Sequence, residues 1–105
     1  MNIVLCNCPQ EKADSIAKEL VEKKVAACVN VIPQVKSFYH WQGELCCDNE
    51  ATLIIKIRAN DFERLQKEIL QIHPYDVPEM VELSVSNVNE EYLKWLYANT
   101  GDHNV

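Results

Sequence analysis

Apolar residues in this chain switch their spacing between every second position and every third or fourth, and that alternation leaves few folds open. Residues 2–8, NIVLCNC, read as a short buried strand. Pro9 follows where a helix can begin, since its missing N–H would be unpaired in a first turn anyway. From 10 to 24, Ala13, Ile16, Ala17, Leu20 and Val21 recur at helical spacing with charges opposite them. VAACVNVIP then alternates, with Val25, Ala27, Val29 and Val31 on one face and Ala26, Cys28, Asn30 and Ile32 on the other. Pro33 must break or bend the ladder, so the strand continues past a kink through VKSFYHW. QGELCCDNE is the turn region, with Gly43 available for positive φ.

ATLIIKIRA returns as a strand, Leu53, Ile55 and Ile57 facing one way and Thr52, Ile54, Lys56 and Arg58 the other. NDFERLQKEILQI is a second helix, with Asn60 and Glu63 in a capping-box pattern and Phe62, Leu65, Ile69 and Ile72 as its inner stripe. HPYDVPE, held out of helical geometry by Pro74 and Pro78, is extended and stiff. MVELSVSN is a last strand with Val81, Leu83 and Val85 on one face, and Asn89 caps a short helix, EEYLKWLYANT.

The order β-α-β-β-α-β plus a terminal helix predicts an α+β, ferredoxin-like split βαβ fold, an antiparallel sheet with both main helices on one face. The other face is expected to carry Asn30, Lys56, Glu82 and Ser84 mixed with Cys28, Ile54 and Met80. That mixture is too apolar for water and too polar for a monomer core, which points to burial against sister subunits. The long aromatic hairpin from Val35 to Ile57 leaves open edges that partner strands can cover.

At 105 residues the chain supports one core, so we read 1–105 as a single domain with a frayed tail from about 99. Ten basic against sixteen acidic side chains give a net charge of −6, and no Lys/Arg cluster offers a surface for nucleic acid. No window reaches the roughly 20 apolar residues of a membrane span, and MNIVLCNCPQEK lacks a signal peptide's basic start. Five cysteines, an odd number without framework spacing, fit a reducing compartment, and the expected location is cytoplasmic.

LCNCPQEKADSIAKELVEKKVAACVNVIP, SFYHWQGEL, HPYDVPE and YLKWL occur in order from about Ile3 to Tyr97, and together they resemble the CutA divalent-ion tolerance proteins. The resemblance implies a tight homotrimer similar in architecture to the PII signalling proteins, linked to tolerance of copper and other metals. It also implies copper ligands: a cysteine at the end of the first strand, matched by Cys6, and a histidine pair before PY, of which His73 matches the second. Ile72 stands where the first histidine would be.

Cys8 lies two residues after Cys6, so a persisting strand projects both thiols from one face, as the soft ion Cu(I) prefers. Pro9 argues instead for a chain already turning at Cys8, which separates the sulfurs. The plainer reading makes Cys6 a small core residue and His73 a cation at a helix C-terminus. Cys46 and Cys47 point to opposite faces and do not chelate as a pair, Cys28 packs against neighbouring subunits, and His103 in the tail holds metal loosely or does nothing.

The family pattern also places Tyr39, Trp41, Glu50, Lys56, Tyr75 and Glu79 with His73 around a cleft between subunits. Aromatic walls, carboxylates and an ammonium suit a small anion, a metal or a metabolite, whereas the plainer reading makes them interface anchors. Nothing resembles a nucleophile–His–Asp set, a glycine-rich phosphate loop or an HExxH motif, so no enzyme is expected. The expectation is a homotrimeric cytoplasmic protein that binds copper or another divalent cation in metal tolerance. The alternatives are a PII-like trimeric sensor with a small ligand between subunits, or a structural trimer that anchors a partner.

Overall fold

We describe the fold from a computed structural model, covering residues 1–101. The elements run β1 (Asn2–Cys8), α1 (Gln10–Glu22), β2 (Cys28–Trp41), β3 (Glu44–Ile57), α2 (Phe62–Ile72), β4 (Val81–Ser84) and α3 (Glu90–Ala98). The strands form one antiparallel sheet in the order β2-β3-β1-β4. This is the expected ferredoxin-like arrangement.

Alternation fixes which residues make the core. Val4, Cys6 and Cys8 of β1 and Leu53, Ile55 and Ile57 of β3 are fully buried with Ile16 and Leu20 of α1 and Leu65 and Ile69 of α2. Burying such a side chain contributes on the order of 1.5–3 kcal/mol, so this single cluster is what holds the helices to the sheet.

α1 ends without a glycine. Lys24 takes the left-handed conformation, φ 58°, and its N–H and that of Val25 return to the carbonyls of Val21 and Leu20, closing a Schellman motif with Val25 buried behind it. α2 begins one residue later than the capping-box pattern predicts: Asp61 is the N-cap, and no side-chain cap hydrogen bond forms.

The long hairpin is more regular than its sequence implies. Trp41 pairs with Glu44 across a two-residue loop in which Gln42 and Gly43 have φ of 51° and 82°. Two positive φ values in succession match the right-handed strand twist, so β3 starts at Glu44 and the expected broad turn region is strand. At Pro33 the ladder shifts register between Ile32 and Val35, and Gln34 takes φ 59°. This one-residue bulge is the kink that Pro33 announces, because proline cannot donate to a ladder.

The faces of β4 are the reverse of the sequence reading. Val4, a core residue, lies opposite Glu82, while Ile3 and Leu5 lie opposite Leu83 and Val81. Val81 and Leu83 are therefore on the helix-free face and exposed, whereas Met80 packs on the core. With Ile32 and Ile54, they make the helix-free face more apolar than expected.

At the end of α3, Thr100 and Gly101 are buried. Arg58 holds this end, with Nε on Thr100 Oγ1 at 2.9 Å and Nη2 on the carbonyls of Tyr97 and Thr100 at 2.8 Å each. His103 and the rest of the expected tail beyond Gly101 lie outside the described residues.

Candidate functional site

β1 persists through Cys8, so Cys6 and Cys8 do share a face, and that face is the core. Burial pushes the Cys6 thiol up to about 12, with the Cys8 charge adding to it, and pushes Cys8 up to about 11. Both therefore stay protonated near neutral pH, whereas a metal takes thiolate.

His73 closes α2 directly beside them. Its Nε2 donates to the carbonyl of Asn7, the residue between the two cysteines, at 2.8 Å. Its Nδ1 accepts the Tyr75 backbone N–H at 3.1 Å, which requires the proton to be on Nε2. Cys6, Cys8 and His73 thus gather at one end of β1 with the imidazole engaged on both sides. As arranged, they do not fit a metal ion. Among the described residues no group of three or more His, Cys, Asp or Glu side chains is placed to hold one.

The second set of expected residues assembles differently. Residues 73–80 run from α2 to β4 outside any helix or strand and bend at 75–77. HPYDVPE is therefore not extended throughout as its prolines suggest: Pro74 and Pro78 flank the bend rather than straighten it. On this span the Tyr75 ring packs on His73, centroids 4.7 Å apart, and its hydroxyl donates to Glu50 Oε2 at 2.5 Å. Glu50 is only 7% exposed. Across the cleft, β2 and β3 present Ser37, Tyr39 and Trp41 beside Asp48 and Glu50, and the Tyr39 hydroxyl donates to Asp48.

Together these surfaces enclose a cleft of about 660 Å³, lined by Tyr39, Trp41, Glu50, Tyr75 and Glu79 of the expected set. Lys56 is not in it; its ammonium lies over the Tyr92 ring of α3, 5.7 Å from the centroid. Asn7, Ser37, Phe38, Pro74, Asp76 and Val77 complete the lining. Pro74, Asp76 and Val77 belong to the HPYDVPE segment, whereas Asn7, Ser37 and Phe38 are not foreseen from the sequence, although a register counted back from Gln42-Gly43 puts Ser37 on the face of Tyr39 and Trp41.

Electrostatically the cleft is acidic. Desolvation raises the Glu79 carboxyl above its ordinary value, and the Glu50 charge raises it further. The hydrogen bond to Asp48 pushes the Tyr39 phenol up to about 12, and burial, then the bond to Glu50, pushes Tyr75 up as well. The phenols are held protonated as donors to carboxylates. Such a site offers aromatic faces and negative charge.

Comparison with known proteins decides the family. The model of the CutA1 divalent ion tolerance protein matches residues 2–99. The chain belongs to that family. It is 46% identical over 100 residues to the divalent-cation tolerance protein CutA of Thermus thermophilus, covering 94% of this chain and 97% of that one. Against the CutA homolog of Xenopus laevis it is 46% identical over 90 residues, but spans only 60% of that longer protein. Its fold superposes on the PII-like protein CutA of a Nostoc species in apo form, with a TM-score of 0.91 at 41% identity, covering 96% of this chain and 98% of that one. The family is one of divalent-cation tolerance and is not a known enzyme family.

Proposed function

We propose that this protein serves divalent-cation tolerance as a cytoplasmic homotrimer whose working site is the acidic aromatic cleft, in the manner of a ligand-binding sensor. The carrying observation is that Tyr39, Trp41, Glu50, Tyr75 and Glu79 line one cleft. Meanwhile the thiols and imidazole of Cys6, Cys8 and His73 are committed to the core and to backbone groups. Assembly is supported by the helix-free face, where Val81 and Leu83 are each 46% exposed beside Ile3 and Leu5; a face of this kind is stabilised by covering it. Lys56, remote from the cleft of its own chain, would join an inter-subunit cleft only across such an interface. Five free cysteines support a reducing location. Among the described residues no helix is long and apolar enough to cross a membrane.

The convergence of Cys6, Cys8 and His73 on one end of β1 favours a second reading, in which a copper or other divalent ion binds there. Binding would require that end to open, releasing Nδ1 from the Tyr75 amide and deprotonating the thiols. Equilibrium titration of the reduced protein with Cu(I) and Cu(II), read by native mass spectrometry, separates the two. Stoichiometric binding lost in Cys6→Ser/Cys8→Ser or His73→Gln supports the metal site. Binding indifferent to all three substitutions removes it and leaves the cleft.

A further inference from the structure

We propose that the cleft takes a small organic cation, an ammonium group seated on the faces of Trp41, Tyr39 and Tyr75 with the Glu50 carboxylate as its counter-charge. This rests on the reading of the cleft as the ligand site and names the chemistry it selects.

The aromatic rings are placed for a ligand that uses faces. Trp41, Tyr39 and Tyr75 are 44%, 39% and 38% exposed, so their rings are half open to the cleft. Both phenols already donate their hydroxyls, Tyr39 to Asp48 and Tyr75 to Glu50. What they leave for a ligand is the π-face, whose negative quadrupole attracts cations, with tryptophan the strongest of the three. A hydroxyl that donates to a carboxylate also pushes electron density into its ring, which deepens that attraction.

Charge points the same way. Glu50, more than nine-tenths buried, and Glu79 line the cleft, and among the described residues no lysine or arginine of the same chain lines it. Glu79 is raised by desolvation first and by the Glu50 charge second, and a cation in the cleft offsets both. An anion would enter against the field, and a neutral ligand would gain nothing from it.

Size separates an organic cation from a bare metal ion. About 660 Å³ is the range of small-molecule sites, far beyond the single ion that oxygen ligands at 2.0–2.6 Å enclose. One Glu50 oxygen is already taken by Tyr75, which costs a metal a ligand but leaves the net charge of the carboxylate intact for an ammonium.

The test is calorimetric titration of the full, reduced chain with choline and with 3,3-dimethylbutan-1-ol, its uncharged carbon isostere, with sedimentation of the same sample. Choline is expected to bind saturably and roughly tenfold more tightly than the isostere, as a cation–π site with a buried counter-charge requires. Glu50→Gln, which keeps an acceptor for Tyr75, is expected to weaken choline by a similar factor and leave the isostere unchanged. Equal binding of the two probes overturns the proposal, as does choline binding indifferent to Glu50→Gln. A trimer that binds no choline also overturns it while leaving the assembly intact. A single-chain species in sedimentation counts against the trimer instead, and the choline-to-isostere ratio still decides the ligand class.

Discussion

The Tyr75 hydroxyl donates to Glu50 Oε2 at 2.5 Å and so ties the bent span after α2 to the root of the hairpin. Through His73 the same span is tied to β1, because Tyr75 N–H reaches Nδ1 while Nε2 reaches the Asn7 carbonyl. Two long-range bonds thus fix one wall of the cleft against the sheet.

Tyr75→Phe leaves the buried Glu50 carboxylate without its donor, and an unsatisfied buried group costs about 1–3 kcal/mol. Urea denaturation is expected to show a loss of that order. Glu50→Gln alone should cost less, and the double variant should be less destabilised than the sum, because the two residues share one interaction. Strict additivity would mean the bond contributes nothing.

His73→Phe keeps the bulk and removes both polar contacts. The Tyr75 amide loses its acceptor, so hydrogen exchange at residues 74–79 is expected to quicken while α1 stays protected. Unchanged exchange at Tyr75 would show that the prolines alone hold the span.

Thiol chemistry should follow burial. In native protein, Cys47 is exposed and Cys6 and Cys8 are fully buried, so alkylation is expected to reach Cys47 first and the β1 pair only on unfolding. The pH dependence has a defined sign. The folded Cys6 and Cys8 thiols lie at about 12 and about 11, above the ordinary value of 9.0. The folded state thus binds these protons more tightly than the unfolded chain. Their contribution is complete below about pH 9 and is lost as pH rises through 11 and 12. Stability measured from pH 8 upward should fall, and Cys6→Ala/Cys8→Ala should flatten that fall.

Gly101→Ala tests the α3 anchor. Gly101 has φ +125°, and an added Cβ would meet Arg58 Nη2 at 2.8 Å. A lowered melting temperature is expected, with a similar drop for Arg58→Lys, which cannot span Tyr97 and Thr100 with a planar fork.

Much of this was legible because alternation is a reliable guide wherever only one face is apolar. Leu53, Ile55 and Ile57 and the helix stripes at Ile16, Leu20, Leu65 and Ile69 are buried as their spacing implies. β4 misled for the same reason. Val81 and Leu83 are apolar, but on the face that lacks helices, so the more apolar side of this strand is not its core side. The end of α1 was hard to place because Lys24 occupies a position where glycine is usual. The pairings that build the cleft join residues far apart in sequence: Tyr75 with Glu50, His73 with Asn7. No local pattern encodes them, although the two-residue turn at Gln42-Gly43 fixes the register that brings Tyr39 near Asp48.

The trimer is the central claim of the proposed assembly, and sedimentation equilibrium of the reduced chain across a dilution series tests it most directly. A single species of three chains that survives dilution, and that Leu83→Lys breaks apart, is the expected result. A folded single chain at every concentration, with Val81 and Leu83 left in water, would contradict it.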